Sequence, residues 1–276
     1  MTTVRSTPVR RGRPRRRTSP RRRSAVLVAA LTAAGLSLTG CSSTDDATPT
    51  DAASDAALRP TTDPASETSA GAGAGAGCTA TEVGTPAGAA TTEIVDVDGD
   101  GAPDTAWMTG GSGRSFGVTT ASGATFSTPI VSASPVPASA VVNVVGDDAT
   151  PIALVDLGRE AQLFSLINCA VTQTVDASDT AYVFDRGFAD QGTGVGCTEV
   201  VGVLQLAGLR AVQEGGTWTV TRTLVDLSDG GRVAADGTVD VVAEGAAAAD
   251  PVVTTAQEVS CGDIVAGDGG LAEPEA

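Results

Sequence analysis

One nine-residue segment, DVDGDGAPD, carries the most distinctive chemistry of this sequence. Its acidic residues occupy the first, third, fifth and ninth positions and are Asp96, Asp98, Asp100 and Asp104. Like charges this close together repel one another unless a cation lies among them. Alternate side chains of a tight loop face a common centre, and the backbone carbonyl of Ala102 at the seventh position offers one more oxygen. The spacing therefore predicts a cation-binding loop.

The ligands of this loop are hard oxygen atoms, which favours Ca²⁺ first and Mg²⁺ second. Gly99 and Gly101 permit the left-handed backbone that a turn around an ion requires. A solvated Asp-Gly turn without a metal is the alternative interpretation. An EF-hand is disfavoured because its twelfth position, normally glutamate, is Trp107, and because both flanks have strand-type composition. We predict one calcium site.

Residues 78–266 alternate short runs rich in Val, Thr and Ile with glycine and Asp-Gly turns. Runs such as TTEIVDV, DTAWM, AVVNVV, IALVDL, TEVVGVLQL and TWTVTRTLVDL are typical of antiparallel strands joined in hairpins. No window has a sustained helical period. We therefore predict one all-β domain of antiparallel sheets over residues 78–266, followed by a disordered tail at residues 267–276.

Weak internal similarity divides this domain into about four units. Aligning GDGAPDTAWMTGG with DDATPIALVDLG places Pro103 on Pro151, an offset of 48 residues. Further shifts of 47 and 53 residues reach Thr198 and Pro251. An apolar strand is expected to begin near each aligned position. Units of about fifty residues suit a propeller-like radial repeat. A chance echo within a β-rich chain is the alternative.

A strand, the loop DxDGDGxxD and a second apolar strand together resemble the FG-GAP or VCBS repeat of integrin-type β-propellers. The resemblance covers the nine loop residues fully and about fifty residues loosely. It implies that the four aspartates bind calcium between two strands of a blade. The second unit departs from the pattern, since Val144, Gly146 and Ile152 replace three of the aspartates and only Asp148 is retained. A small or degenerate propeller is implied, because a ring of six or seven blades does not fit in about 190 residues.

The N-terminal segment has the features of a bacterial lipoprotein signal. Residues 1–40 contain ten arginines and no acidic residue, followed by a short apolar run that ends in LTGC. That ending resembles a lipobox, which implies cleavage before Cys41 and a lipid on its sulfur. The apolar run of fourteen residues is shorter than a membrane span. Residues 41–77 are rich in Thr, Ser, Asp, Pro and Gly and are predicted to form a disordered tether. We expect an extracytoplasmic protein anchored to the outer face of the cell membrane.

Histidine and lysine are absent from the sequence. Their absence excludes Ser-His-Asp and Cys-His catalysis, histidine-ligated metals and Schiff-base mechanisms. Beyond residue 40, seven arginines stand against 33 acidic residues, a formal charge of −26. A chain this acidic repels phosphate backbones, so no nucleic-acid partner is predicted.

Four cysteines remain after Cys41, and an even number in an exported chain predicts two disulfides. Three pairings are open from the sequence alone. Our expectation joins Cys169 to Cys197, neighbours in cysteine order, and Cys78 to Cys261, which would link the two ends of the domain. A zinc site is disfavoured because the cysteines lack CxxC spacing.

A non-catalytic cell-surface module is the function that these features favour. It would bind a protein or glycan of the cell envelope, or have a structural role, with one calcium-stabilised loop, and it would not be an enzyme. The alternative is an envelope hydrolase that uses a pair of carboxylates. Such an enzyme requires two carboxyl groups about 5 to 9.5 Å apart in a concave pocket away from the metal loop.

Overall fold

The computed structural model describes residues 77–187 and 193–275. The predicted signal at 1–40, the lipidated Cys41 and the tether up to residue 76 lie outside the described residues. Within them the chain is all-β with very little helix, as predicted. A short 3₁₀ turn covers Gly111–Gly113, and one α-helix, α1, covers Pro251–Thr255.

Sixteen strands follow one another along the described chain. In order they are β1 (Ala90–Ile94), β2 (Asp104–Thr109), β3 (Ser115–Thr119), β4 (Thr125–Pro129), β5 (Ser139–Val145), β6 (Thr150–Asp156), β7 (Glu160–Ser165), β8 (Thr172–Gln173), β9 (Val183–Asp185), β10 (Thr193–Val200), β11 (Val203–Glu214), β12 (Thr217–Ser228), β13 (Val233–Ala246), β14 (Val259–Cys261), β15 (Ile264–Val265) and β16 (Leu271–Ala272).

The strands form three sheets. The first is the antiparallel meander β1-β2-β3-β4. The second has the order β16-β5-β6-β7-β8, with β9 also paired to β7. The third has the order β13-β12-β11-β10-β14-β15, and its β10–β14 pair is parallel. Among the described strands, the parallel pair therefore occurs where the chain returns from α1 to the third sheet, and the other pairs are antiparallel.

The second sheet is the middle layer of the domain. One of its faces packs on the first sheet through a cluster that includes Phe116, Val142 and Phe164. Its other face packs on the third sheet through a cluster that includes Leu154 and Val195. Burial on both faces explains why β5, β6 and β7 are nearly continuous apolar runs instead of alternating ones, since each successive side chain enters one core or the other.

Two of the four predicted repeat positions fall at the same place in the topology, since Pro103 directly precedes β2 and Pro151 is the second residue of β6, whereas Thr198 lies inside β10. The loops between β1 and β2, between β5 and β6, and between β10 and β11 each join the first two strands of a meander. The fourth boundary is wrong, because Pro251 begins the helix α1 and not a strand. Asp250 caps this helix by accepting a hydrogen bond from the backbone N–H of Val252, and proline is well suited to the first helical turn.

Two boundary predictions are also corrected. The run TEVVGVLQL is not one strand, because a turn at Val201 and Gly202, both with positive φ, separates β10 from β11. Residues 267–275 are not a disordered tail. Strand β16 pairs with β5, and the Glu273 carboxylate forms a 2.9 Å ion pair with Arg114 and accepts a hydrogen bond from the backbone N–H of Ala138.

The two predicted disulfides are present, but the expected pairing is wrong. The bonds join Cys78 to Cys169 and Cys197 to Cys261. Cys197 and Cys261 face each other in register on the parallel pair β10–β14. The pairing predicted from the order of the cysteines is wrong because the chain returns through α1 to lie beside β10. This return places cysteines 64 residues apart on adjacent strands.

Candidate metal centre

The acidic loop connects β1 to β2 at one end of the first sheet. Asp104 is the first residue of β2, pairs with Ile94 of β1 and is only 1% exposed. Asp96 and Asp98 lie in the loop itself and are half-buried. The hairpin therefore holds one carboxylate rigidly on a strand and presents the others from the turn above it.

Three of the predicted ligands converge. One oxygen from each of Asp96, Asp98 and Asp104 lies within 4.8 Å of the other two. Calcium binds oxygen at 2.3–2.6 Å, so two ligands on opposite sides of the ion are at most about 5 Å apart. The observed separation lies within that limit, and the donor set consists entirely of oxygen. These three residues form a cluster of oxygen donors that could hold a metal ion.

Asp96 organises the turn of the loop. Its Oδ1 accepts hydrogen bonds from the N–H groups of Asp98 at 3.2 Å and Gly99 at 2.7 Å, and its Oδ2 accepts one from Gly101 at 2.7 Å. Both glycines have positive φ, 79° and 88°, as the sequence predicted. Burial acts to raise the pKa of Asp96, but hydrogen bonds from the backbone, with Gly101 the strongest, outweigh it and hold the pKa below its ordinary value.

Asp104 occupies a more buried environment. Its Oδ2 accepts a hydrogen bond from the N–H of Val97 at 2.8 Å and its Oδ1 accepts one from Ala121 at 2.9 Å. Burial raises the pKa of Asp104, the two hydrogen bonds lower it, and the charges of Asp98 and Asp96 raise it further. The net result is a pKa of Asp104 above the ordinary value for an aspartate. The negative charge on this carboxylate is therefore costly unless a cation compensates it.

Asp98 is fixed from outside the loop. Its Oδ2 accepts a hydrogen bond from the backbone N–H of Cys78 at 2.8 Å and lies 3.5 Å from the hydroxyl of Ser122. Ser122 in turn donates to the carbonyl of Cys78 at 2.6 Å. Gly77 lies so close that a Cβ there would be 2.8 Å from the Cβ of Asp100 and 3.1 Å from Oδ2 of Asp98. The first described residues of the domain therefore form one wall of the site.

The remaining two predicted ligands are not in the converging group. Asp100 Oδ1 accepts a hydrogen bond from the N–H of Ala102 at 2.8 Å. Asp100 lies outside the set of three carboxylates, and nothing in the structure places the Ala102 carbonyl among them. Sequence reasoning also missed Cys78 and Ser122. They lie 20 and 24 residues from Asp98, and a disulfide cysteine and a turn serine carry no local signal for such a role.

A cavity of about 630 Å³ opens beside the loop. Its lining comes from the loop, from the Cys78–Cys169 disulfide and from the second sheet, including Asp96, Asp98, Cys169, Pro151 and Ile167. In the second sheet the position aligned with Asp104 is Ile152, which is 1% exposed. A buried isoleucine replaces the buried carboxylate there, so the second hairpin lacks the central acidic residue of the first.

Neither comparison by sequence, with protein-family models and with curated proteins, nor comparison with solved structures finds a match to this chain. The resemblance of the loop to the FG-GAP or VCBS repeat thus rests on its own residues. No helix among the described residues is long and apolar enough to cross a membrane.

Proposed function

We propose that this chain is an exported, lipid-anchored surface module whose β-domain is stabilised by one calcium ion and which binds a component of the cell envelope or has a structural role there. The observation that supports calcium best is the convergence of Asp96, Asp98 and Asp104 within 4.8 Å. In this proposal the domain is a degenerate relative of the FG-GAP or VCBS propeller repeat. Its three meanders would correspond to blade-like units, only one of which keeps a metal loop.

The anchoring part of the proposal rests on the LTGC ending and the two disulfides. Disulfides persist in oxidising compartments, which agrees with export. The residues from Cys41 onward would then hold the β-domain away from the membrane on a polar tether. Divalent cations are concentrated near a chain of charge −26, so the loop would fill readily in the extracellular medium.

The membrane anchor is tested by a single substitution. Cys41→Ser removes the sulfur that would carry the lipid, so we expect the protein to move from the membrane fraction to the culture medium. Fractionation followed by immunoblotting measures this shift, with Cys197→Ser as a control that leaves the anchor intact. Membrane association of the Cys41→Ser protein equal to that of the unaltered chain would contradict a lipid anchor.

Calcium binding is tested by thermal unfolding of the protein made soluble by Cys41→Ser. After treatment with chelator, added Ca²⁺ should raise the melting temperature, because it binds the folded state selectively. At a free concentration of about 100 times Kd the gain is about 2.7 kcal/mol, or about 5 to 11 °C for a domain of this size. Asp98→Ala with Asp100→Ala should abolish the rise.

The matched control for that double variant lies in the second sheet. Asp147→Ala with Asp148→Ala removes two exposed acidic residues from the aligned turn between β5 and β6 and should leave the calcium response intact. An unchanged melting temperature of the unaltered protein at millimolar Ca²⁺ would reject the bound ion. An equal loss of response in both double variants would show a general effect of charge instead of a site.

A further inference from the structure

The third sheet extends beyond the core that it shares with the second sheet. On one of its faces Leu206 and Val225 are buried in that core. Positions two and four residues further along each strand lie on that same face. They are Gly208 and Arg210 on β11, and Thr223 and Thr221 on β12. Beyond the core Arg210 is exposed, and Gly208, Thr221 and Thr223 are half-buried. Among the described elements, β9 reaches part of this face through Phe184, and the rest of it is open.

A groove of about 370 Å³ lies at this edge of the core. Gly208 forms part of its floor, and a Cβ there would lie 3.8 Å from the ring of Phe184, an ordinary van der Waals contact. Val239 of β13 is 60% exposed and forms an apolar wall opposite. Thr221 and Thr223 also line the groove, and neither hydroxyl has a hydrogen-bond partner among the described residues. The lining thus combines apolar surface with unpaired hydroxyl groups.

Arg210 supplies the charge of this groove. It is exposed and lies in register between Thr193 of β10 and Thr221 of β12. Among the described arginines its guanidinium alone has no side-chain hydrogen bond or ion pair with a described residue. The other five are engaged and are Arg114, Arg159, Arg186, Arg222 and Arg232. No carboxylate of the described residues pairs with this guanidinium, although acidic residues greatly outnumber arginines in the sequence.

One carboxylate does line the groove, but it is directed elsewhere. Asp185 Oδ1 accepts a hydrogen bond from the backbone N–H of Gly187 at 2.8 Å. No other described carboxylate lines the groove, and at physiological ionic strength charges separated by more than about 8 Å are largely screened. A ligand with one carboxylate can therefore pair with Arg210, whereas a densely charged polyanion meets the repulsion of the whole chain.

We infer that this groove binds a saccharide that carries a single carboxylate, such as a terminal uronic acid. The guanidinium would bind the carboxylate in the bidentate manner typical of arginine. The hydroxyls of Thr221 and Thr223 would exchange hydrogen bonds with sugar hydroxyls, since both kinds of group donate and accept. Phe184 and Val239 would cover an apolar face of the ring. The site is independent of the metal loop and goes beyond the envelope-binding role proposed above by naming the ligand.

The test is an NMR titration of the soluble Cys41→Ser protein with glucuronate and with glucose, which differ at one carbon. Chelator is present throughout, so that calcium bridging cannot contribute and the result is separate from the metal proposal. Glucuronate should shift the amide signals of Gly208, Thr221 and Val239 with saturation in the millimolar range. Glucose should bind at least tenfold more weakly, because it lacks the carboxylate that pairs with Arg210.

Two variants assign the contacts. Arg210→Gln should weaken glucuronate binding at least tenfold, and Thr221→Val with Thr223→Val should weaken it while keeping β-branched side chains in the strand. The control is Arg232→Gln, which removes an exposed arginine paired to Asp229 elsewhere on the surface and should not change binding. Equal binding of glucose and glucuronate, no effect of Arg210→Gln, or tighter binding of a peptide carboxylate than of glucuronate would each overturn the assignment.

Discussion

Asp104→Ala is expected to lower the free energy of unfolding by about 1 to 3 kcal/mol even when calcium is absent. The carboxylate is 1% exposed and accepts hydrogen bonds from Val97 and Ala121. Its removal leaves the buried N–H of Val97 without an acceptor, which costs roughly 1 to 3 kcal/mol, whereas the part-buried N–H of Ala121 can bond to water. Chemical denaturation in the presence of chelator measures this loss, and it is a large share of the stability of an ordinary domain.

Asp104→Asn separates the structural role of this residue from its role as a ligand. The amide has nearly the same shape and keeps one acceptor oxygen, so it can satisfy one of the two N–H groups. The substitution also removes the negative charge at position 104, which the charges of Asp96 and Asp98 disfavour. We therefore expect a smaller loss than for alanine in chelator, but a similarly weakened calcium response. A loss below about 1 kcal/mol for Asp104→Ala in chelator would contradict the role of the carboxylate as a buried acceptor.

Much of the fold was predictable because its strands are short and its turns are marked by glycine. Positive φ at Gly99 and Gly101 occurs where the sequence places glycine in a turn, and the adjoining strand boundaries follow. The convergence of Asp96, Asp98 and Asp104 was likewise predictable, since alternate residues of a tight turn face inward. These features are local, so a few neighbouring residues determine them.

The remaining features depend on contacts between distant segments, which local patterns do not encode. The C-terminal segment was predicted to be disordered, but it is ordered because Glu273 forms an ion pair with Arg114 and β16 pairs with β5 in the second sheet. The return of the chain through α1 to β14 decides the disulfide pairing. Asp100 lies outside the converging group although its spacing along the chain matches that of its neighbours.

Removing the Cys78–Cys169 disulfide by double substitution to alanine should lower the free energy of unfolding by about 4 to 5 kcal/mol. The bond joins residues 91 positions apart, and the chain-entropy treatment assigns this amount to a loop of that length. Calcium affinity should fall as well, because the backbone N–H of Cys78 holds Asp98 at 2.8 Å. Denaturation in chelator measures the first effect, and calcium titration below the unfolding transition measures the second.

The other disulfide provides the matched control. Cys197 and Cys261 are 64 residues apart, and because the entropic cost grows only with the logarithm of loop length, their removal should destabilise the domain by a similar amount, about 4 kcal/mol. That pair lies on β10 and β14 and makes no contact with the acidic loop that the structure records. Calcium affinity should therefore fall only in the Cys78–Cys169 variant. By reciprocity, calcium should then stabilise the disulfide-bonded form over the reduced form, and protect Cys78 and Cys169 from reduction while leaving the second bond unaffected. Equal losses of calcium affinity in both variants would mean that general loosening of the domain, and not the contact between Cys78 and Asp98, sets the geometry of the metal loop.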